Sequence, residues 1–319
     1  MPSTIWLKIR LYLMLVLFFA IVYAFVSAIS YLLGITNFLF YGILAIALVS
    51  FQYLVSPKIV EWTMQVRYVD EKEEPELHRM VAKLAERAGI PKPKVGISAL
   101  KIPNAFAFGR WKSDGRVCVT QGILDLLDKK ELEAVLGHEI SHLKHKDVVI
   151  ITLLSVVPMI AWYLAQSMFW SRDRRGNAAI IGIFAFIIYF VTNLLVLYAS
   201  RIREYYADAG SIELGNSPHN LASALFKLVK GSASLPKPAL KQAEGVKAFF
   251  LNDVSKAHDE ISDLAQLDLD KSGTLDPEEL AALKEKHIKL GALDRLLELM
   301  STHPNMLKRI KTLAQYEHG

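Results

Sequence analysis

The sequence predicts a mainly α integral membrane protein, with four apolar membrane segments joined to a soluble α+β part that holds a small sheet. Three observations predict it. The 319-residue chain is 52% apolar and only 22% charged, with a mean hydropathy of +0.27, more apolar than an ordinary soluble domain. Uncharged stretches run over Leu11–Pro57, Val148–Ser171 and Gly176–Ser200. The stretches between and after them, 58–147 and 201–319, mix charge with helical and strand-type periodicity. So much apolar surface excludes bulk disorder. The single cysteine, Cys118, excludes a disulfide framework and a Cys-rich zinc finger, so a metal site would use His and carboxylates. The net charge of +5 is spread along the chain. It suits an anionic lipid surface and gives no case for nucleic acid.

The first uncharged stretch, 11–57, is too long for one span and suits two of about 20 residues each. Gly34, Thr36 and Asn37 supply the break, which gives Leu11–Leu33 and Phe38–Val55. The length and the absence of a small-residue cleavage site argue against a signal peptide. Lys8 and Arg10 precede the first span and no charge follows it. The positive-inside rule therefore places the N-terminus and the residues after Lys58 in the cytoplasm. Arg172, Arg174 and Arg175 between the later segments oppose that rule if the pair spans fully; a shallow re-entrant hairpin removes the conflict. The expected organisation is 1–57 and 148–200 in the membrane, with 58–147 and 201–319 soluble.

In the soluble parts, Leu77, Met80, Val81, Leu84 and Ala85 fall at helical spacing across Glu74–Ala88, which Gly89 and Pro91 end. Lys94–Ala99, Asn104–Gly109 and Arg116–Thr120 read as short strands. Lys129–Lys146 reads as a strong helix, and Arg201–Leu214 and Pro218–Lys230 as further helices. Gly231–Pro238 reads as a linker or exposed loop.

The 129–146 helix carries Gly137-His138-Glu139-Ile140-Ser141-His142. Residues i and i+4 share a helix face, so His138 and His142 can hold one ion. Glu139, beside the first ligand, can serve an attacking water as general base. This is the H-E-x-x-H pattern of zinc proteases. A third protein ligand is needed. Glu204 and Asp208 are again four apart; Glu204 is the candidate ligand and Asp208 the acceptor for a ligating imidazole, with His138 expected to be the donor. Taken alone, such an acidic pair also reads as a solvated helix face. If His138 and Glu204 meet at one ion, the 148–200 excursion must return to the side it left.

Together these motifs resemble the membrane-embedded zinc metalloproteases of the M48 class, specifically its HtpX group. The likeness includes the N-terminal membrane pair, Asn104-Ala105-Phe106-Ala107, the histidine motif, the second membrane pair, Glu204-Tyr205-Tyr206-Ala207-Asp208, and Ser301-Thr302-His303-Pro304 followed by Arg309. The resemblance implies a zincin-like α+β catalytic domain of gluzincin type, with one zinc ion per chain. It implies a multi-pass protein of the cell membrane with a cytoplasmic active site. It also implies a stress-response role in removing misfolded or damaged membrane proteins. Asn104, Ala105, Phe106 and Ala107 would form the substrate-binding rim strand; a plain core hairpin, with Phe106 and Phe108 as packing, is the other reading. His303 would assist catalysis at the developing oxyanion, or merely cap a helix turn. Arg309 would order a carboxylate such as Glu204.

Asp268–Glu279 matches the twelve-residue EF-hand loop at its key positions. Asp268, Asp270 and Ser272 would supply side-chain oxygens, Thr274 its carbonyl, and Glu279 two oxygens, with Asp276 acting through water. The resemblance does not call for this unit, which reads as an insertion at about 255–290 holding calcium. The same residues also suit a helix cap, with Asp276 as N-cap, Pro277 first and Glu279 third. Two functional alternatives remain at this level, a narrow-specificity processing metalloprotease and a non-catalytic membrane metal or calcium sensor. Transport fits poorly, since none of the four apolar segments carries an internal Asp, Glu, Lys, Arg or His.

Overall fold

The computed structural model describes residues 13, 16–17, 20–21, 38–169, 177–234, 251, 264, 266–284 and 298–317. Among these the elements are α1 (Phe38–Thr63), β1 (Val66–Tyr68), α2 (Pro75–Ala88), β2 (Lys94–Ser98), β3 (Ala105–Phe108), β4 (Arg116–Thr120), α3 (Gln121–Leu126), α4 (Lys129–His145), α5 (Asp147–Phe169), α6 (Asn177–Glu213), α7 (Pro218–Ala233), α8 (Pro277–Ala282) and α9 (Met306–Ala314). The chain divides into two units, Ser56–Val148 with Arg203–Gly319, and Pro2–Val55 with Val149–Ile202.

In the second unit, two helices among the described residues are long and apolar enough to cross a membrane, Val149–Phe169 and Ala178–Glu213. Ile180, Ile183, Phe184, Ile187 and Phe190 form an exposed stripe on α6 at helical spacing, as a lipid-facing surface requires. Leu154, Val196 and Ala199 pack together. The expected span Leu11–Leu33, the break at Gly34–Asn37 and most of the arginine loop lie outside the described residues. The expected span Phe38–Val55 falls within α1, which runs on through Pro57.

The expected separate helix at Arg201–Leu214 is corrected: α6 is one helix of 37 residues. No Gly or Pro stands at 199–203 to break it. A span uses only about 20 residues, so the uncharged part ends at Ser200 and the rest enters the first unit. The linker expected at Gly231–Pro238 is also corrected, because α7 runs to Ala233. Gly231 packs against Leu126 and Pro103, which keeps the helix intact where sequence suggests a break.

The first unit is built on a four-stranded sheet of order β1-β2-β4-β3. β2 and β4 are parallel; the other pairs are antiparallel. β1 and α3 are not evident from sequence, being three and six residues long. Side chains alternate between sheet faces. Ala105, Val117 and Val119 join the large core shared by α2, α4, α7 and α9. Phe106, Phe108 and Cys118 join a smaller core with Val60, Met64 and Ile102. Among the described residues β3 is an edge strand, paired to β4.

Candidate active site

Helix α4 is fixed at its start by a capping box between Asp128 and Glu131. The buried Glu131 carboxylate also accepts from Ser223 Oγ at 2.7 Å and Lys227 Nζ at 2.8 Å on α7. Small residues then let the C-terminal part of α6 lie against α4. A Cβ at Gly210 would meet Ser141 Oγ at 2.1 Å, and one at Gly137 would meet Asn216 Nδ2 at 2.3 Å. Ser211 Oγ donates to the Ala134 carbonyl across this contact at 2.6 Å. The close approach brings Glu204 and Asp208 onto His138 and His142.

The two imidazole Nε2 atoms stand 3.0 Å apart. Glu204 Oε2 is 3.6 Å from His138 Nε2, and Glu204 Oε1 is 3.6 Å from His142 Nε2. Both Nδ1 atoms face carboxylates, with Asp208 Oδ1 2.9 Å from His138 and Asp147 Oδ2 2.7 Å from His142. A carboxylate only accepts, so His142 Nδ1 carries the proton it gives to Asp147, and the Asp208 charge beside His138 Nδ1 favours a proton there as well. Burial holds His138 below the ordinary histidine range and His142 down at about 4, so both rings are neutral and both Nε2 atoms present lone pairs. Two lone pairs and a carboxylate converging on one point repel unless a cation lies between them. Ligand atoms on a tetrahedral zinc stand about 3.4 Å apart, and the observed 3.0 and 3.6 Å bracket that spacing. The residues therefore fit a zinc ion.

Around this trio the charges are paired. Arg309, fully buried, donates to Asp208 through Nε at 2.9 Å and Nη2 at 2.6 Å, and to the Leu251 carbonyl at 2.9 Å. Its Nη1 lies 3.0 Å from Glu204 Oε2. Arg309 thus orders Asp208 as well as the Glu204 expected from sequence. His303 is buried, with Nδ1 3.4 Å from Glu204 Oε2; its Nε2 has no hydrogen-bond partner among the described residues.

Glu139 is buried on the same turn of α4. Burial first, then the charge of Glu204, hold its carboxyl well above the usual carboxylate range; the backbone N–H of Ala107 opposes that rise. The Ala107 amide therefore faces Glu139 from β3, an edge strand among the described residues. The other rim residues play different parts. Ala105 and Phe106 are buried in the two cores. Asn104, expected at the substrate, precedes the strand: its Oδ1 accepts from Leu251 N at 3.0 Å, and its backbone N–H donates to Thr120 Oγ1 at 2.8 Å. It is turned inward as a loop anchor, because a buried amide side chain must find partners within the fold.

Sequence reasoning missed Asp147 and Arg203, which pair in the buried site. Their signal is faint: Asp147 stands five residues past His142, off the helix face. It reaches back because Lys146, at φ +58°, turns the chain left-handed between α4 and α5.

In the calcium-type loop, Asp268, Asp270 and Glu279 bring carboxylate oxygens within 4.8 Å of one another. Both Glu279 oxygens are engaged: Oε1 accepts from Leu269 N at 2.6 Å and Oε2 from Asp276 N at 3.1 Å. The helix-cap reading is therefore realised, with Asp276 as N-cap of α8 and Pro277 first. Ser272 Oγ lies 2.9 Å from Thr274 Oγ1, and Gly273 takes φ +83°.

Residues 71–317 match peptidase family M48. The chain belongs to that family. It is 57% identical over 227 residues to a protease HtpX homolog of Methanothermobacter thermautotrophicus, covering 71% of this chain and 87% of that one. It is 34% identical over 275 residues to a protease HtpX homolog of Moorella thermoacetica, covering 83% and 80%. The family implies a metal, and the His138, His142 and Glu204 trio is a group able to hold it.

Proposed function

We propose that this M48 chain is a membrane-integral zinc endopeptidase that cleaves misfolded or damaged membrane proteins on the cytoplasmic side. One observation carries the catalytic part: two neutral, carboxylate-oriented imidazoles and Glu204 converge on one point beside the buried Glu139. The M48 match and the HtpX relatives support proteolysis, and the two apolar helices support a membrane setting. The cytoplasmic side rests on Lys8 and Arg10 before the first apolar segment. Membrane lipid and unfolded membrane proteins are the partners this reading requires.

His138, His142 and Glu204 would hold the zinc, which when bound supplies Lewis acidity to a scissile carbonyl and to the attacking water. Glu139 takes the water's proton and passes it to the leaving amine. The free edge of β3 pairs with an extended peptide by strand addition, and the Ala107 amide fixes Glu139 against that edge. His303 Nε2 is free to donate to the carbonyl oxygen as it gains charge. The test is Glu139→Gln in the full chain in detergent. It should keep its zinc and lower kcat by about 10²–10⁴-fold on an unfolded substrate. Wild-type cleavage by that variant would remove Glu139 from this role. A defined peptide panel beside a casein-type assay separates broad degradation from narrow processing.

The reading also gives the 268–279 loop a calcium ion. Its support is the carboxylate cluster and the buried Asp268 Oδ1, which has no hydrogen-bond partner among the described residues.

A further inference from the structure

The two zinc-facing imidazoles are oriented by the same device used twice. His138 Nδ1 meets Asp208, and Asp208 is paired with the buried Arg309. His142 Nδ1 meets Asp147 at 2.7 Å, and Asp147 is paired with the buried Arg203. Arg203 is itself fixed by donating from Nη2 to the His145 carbonyl at 3.2 Å. We infer that Asp147 is the positioning residue for the zinc ligand His142, and that Arg203 holds Asp147 in place against it. The inference rests on the zinc reading of the site.

Three features argue for a dedicated arrangement. A carboxylate on Nδ1 sets the tautomer that leaves Nε2 free for a metal and raises its basicity. Asp147 and Arg203 are both buried, so each would be costly alone and neither is a casual surface charge. Finally, Asp147 reaches His142 only because the non-glycine Lys146 adopts φ +58°, a conformation a long side chain rarely takes. The pair also stands where the chain leaves and re-enters the first unit, at Val148 and Arg203.

The test uses the full chain in detergent and compares wild type, Asp147→Asn, Asp147→Glu, Arg203→Gln and the double Asp147→Asn/Arg203→Gln. Zinc affinity is read by competition with a chromogenic chelator, and the thermal midpoint is read on metal-free protein. Asp147→Asn should weaken zinc binding by about 10–100-fold and lower kcat with little change in KM. Asp147→Glu should recover part of the affinity. The double variant should regain the thermal midpoint that Asp147→Asn loses by stranding Arg203, yet still bind zinc weakly. A purely structural pair would recover both together, and that result overturns the inference. Wild-type zinc affinity in Asp147→Asn overturns it as well, while the zinc reading stands. A wild-type chain that binds no zinc overturns both.

Discussion

Among the described residues, three potential ligand atoms come within 4.8 Å in two places, built in opposite ways. The His138, His142 and Glu204 trio draws on two helices, with Glu204 66 residues after His138 in sequence, and its members are buried or nearly so. The Asp268, Asp270 and Glu279 trio comes from one twelve-residue turn, with Asp270 exposed. In the first, the outward-facing nitrogens are held by Asp208 and Asp147 and the inward-facing atoms are left to repel one another. In the second, the loop's own amides occupy Glu279. A fold that leaves lone pairs converging without a donor relies on a metal to relieve them. A turn whose own amides hold both Glu279 oxygens depends on one far less.

The largest expected effect tests that contrast directly. His138→Ala or Glu204→Ala should take zinc from one per chain to none and cleavage to background, by metal analysis and a casein-type assay. Asp270→Ala should change neither. Equal loss of zinc in both sets would erase the distinction.

The second effect concerns stability. Arg309 is enclosed by Asp208 and Glu204. Replacing it with Met leaves two buried carboxylates facing each other, at a cost of about 3–5 kcal/mol in denaturant unfolding of the metal-free chain. Removing the loop's cap by Asp276→Ala should cost only about 1 kcal/mol. Gly210→Ala should fall between them, at about 1–3 kcal/mol, because its new methyl must displace Ser141. A Gly210→Ala chain as stable as wild type would mean that the α4–α6 approach is looser than described.

How much of this was legible in the sequence follows from the same contrast. The histidine motif lies on one helix, where a spacing of four residues has a fixed geometric meaning. The membrane helices announce themselves by uncharged length. Glu204 and Asp208 share that helical spacing, but only the resemblance attached them to the histidines, since no local pattern encodes a contact between α4 and α6. Asp147 was invisible because the left-handed turn at Lys146 has no glycine to mark it. The inward turn of Asn104 toward the Leu251 amide was not legible either, because a strand-like run says nothing of which residue is drawn inward. β1 is three residues long and is held in place by β2 rather than by its own pattern.

The smallest effect is calcium. To ligate through Glu279, a calcium ion must compete with the amides of Leu269 and Asp276 for the same two oxygens. That competition places the affinity at the weak end of EF-type loops, with Kd of about 1 mM. At about 10 mM calcium, linkage then gives about 1.4 kcal/mol of stabilisation. The readout is a rise of a few degrees in thermal midpoint for the zinc-loaded wild type, with sodium chloride of equal ionic strength as reference. Asp270→Ala should show no rise, because it removes a ligand oxygen without touching the Glu279 cap. An equal rise in both chains would place any calcium elsewhere. No rise in either would leave 268–279 as a capped turn, built to start α8 and to pack Leu275 and Leu280 into the large core.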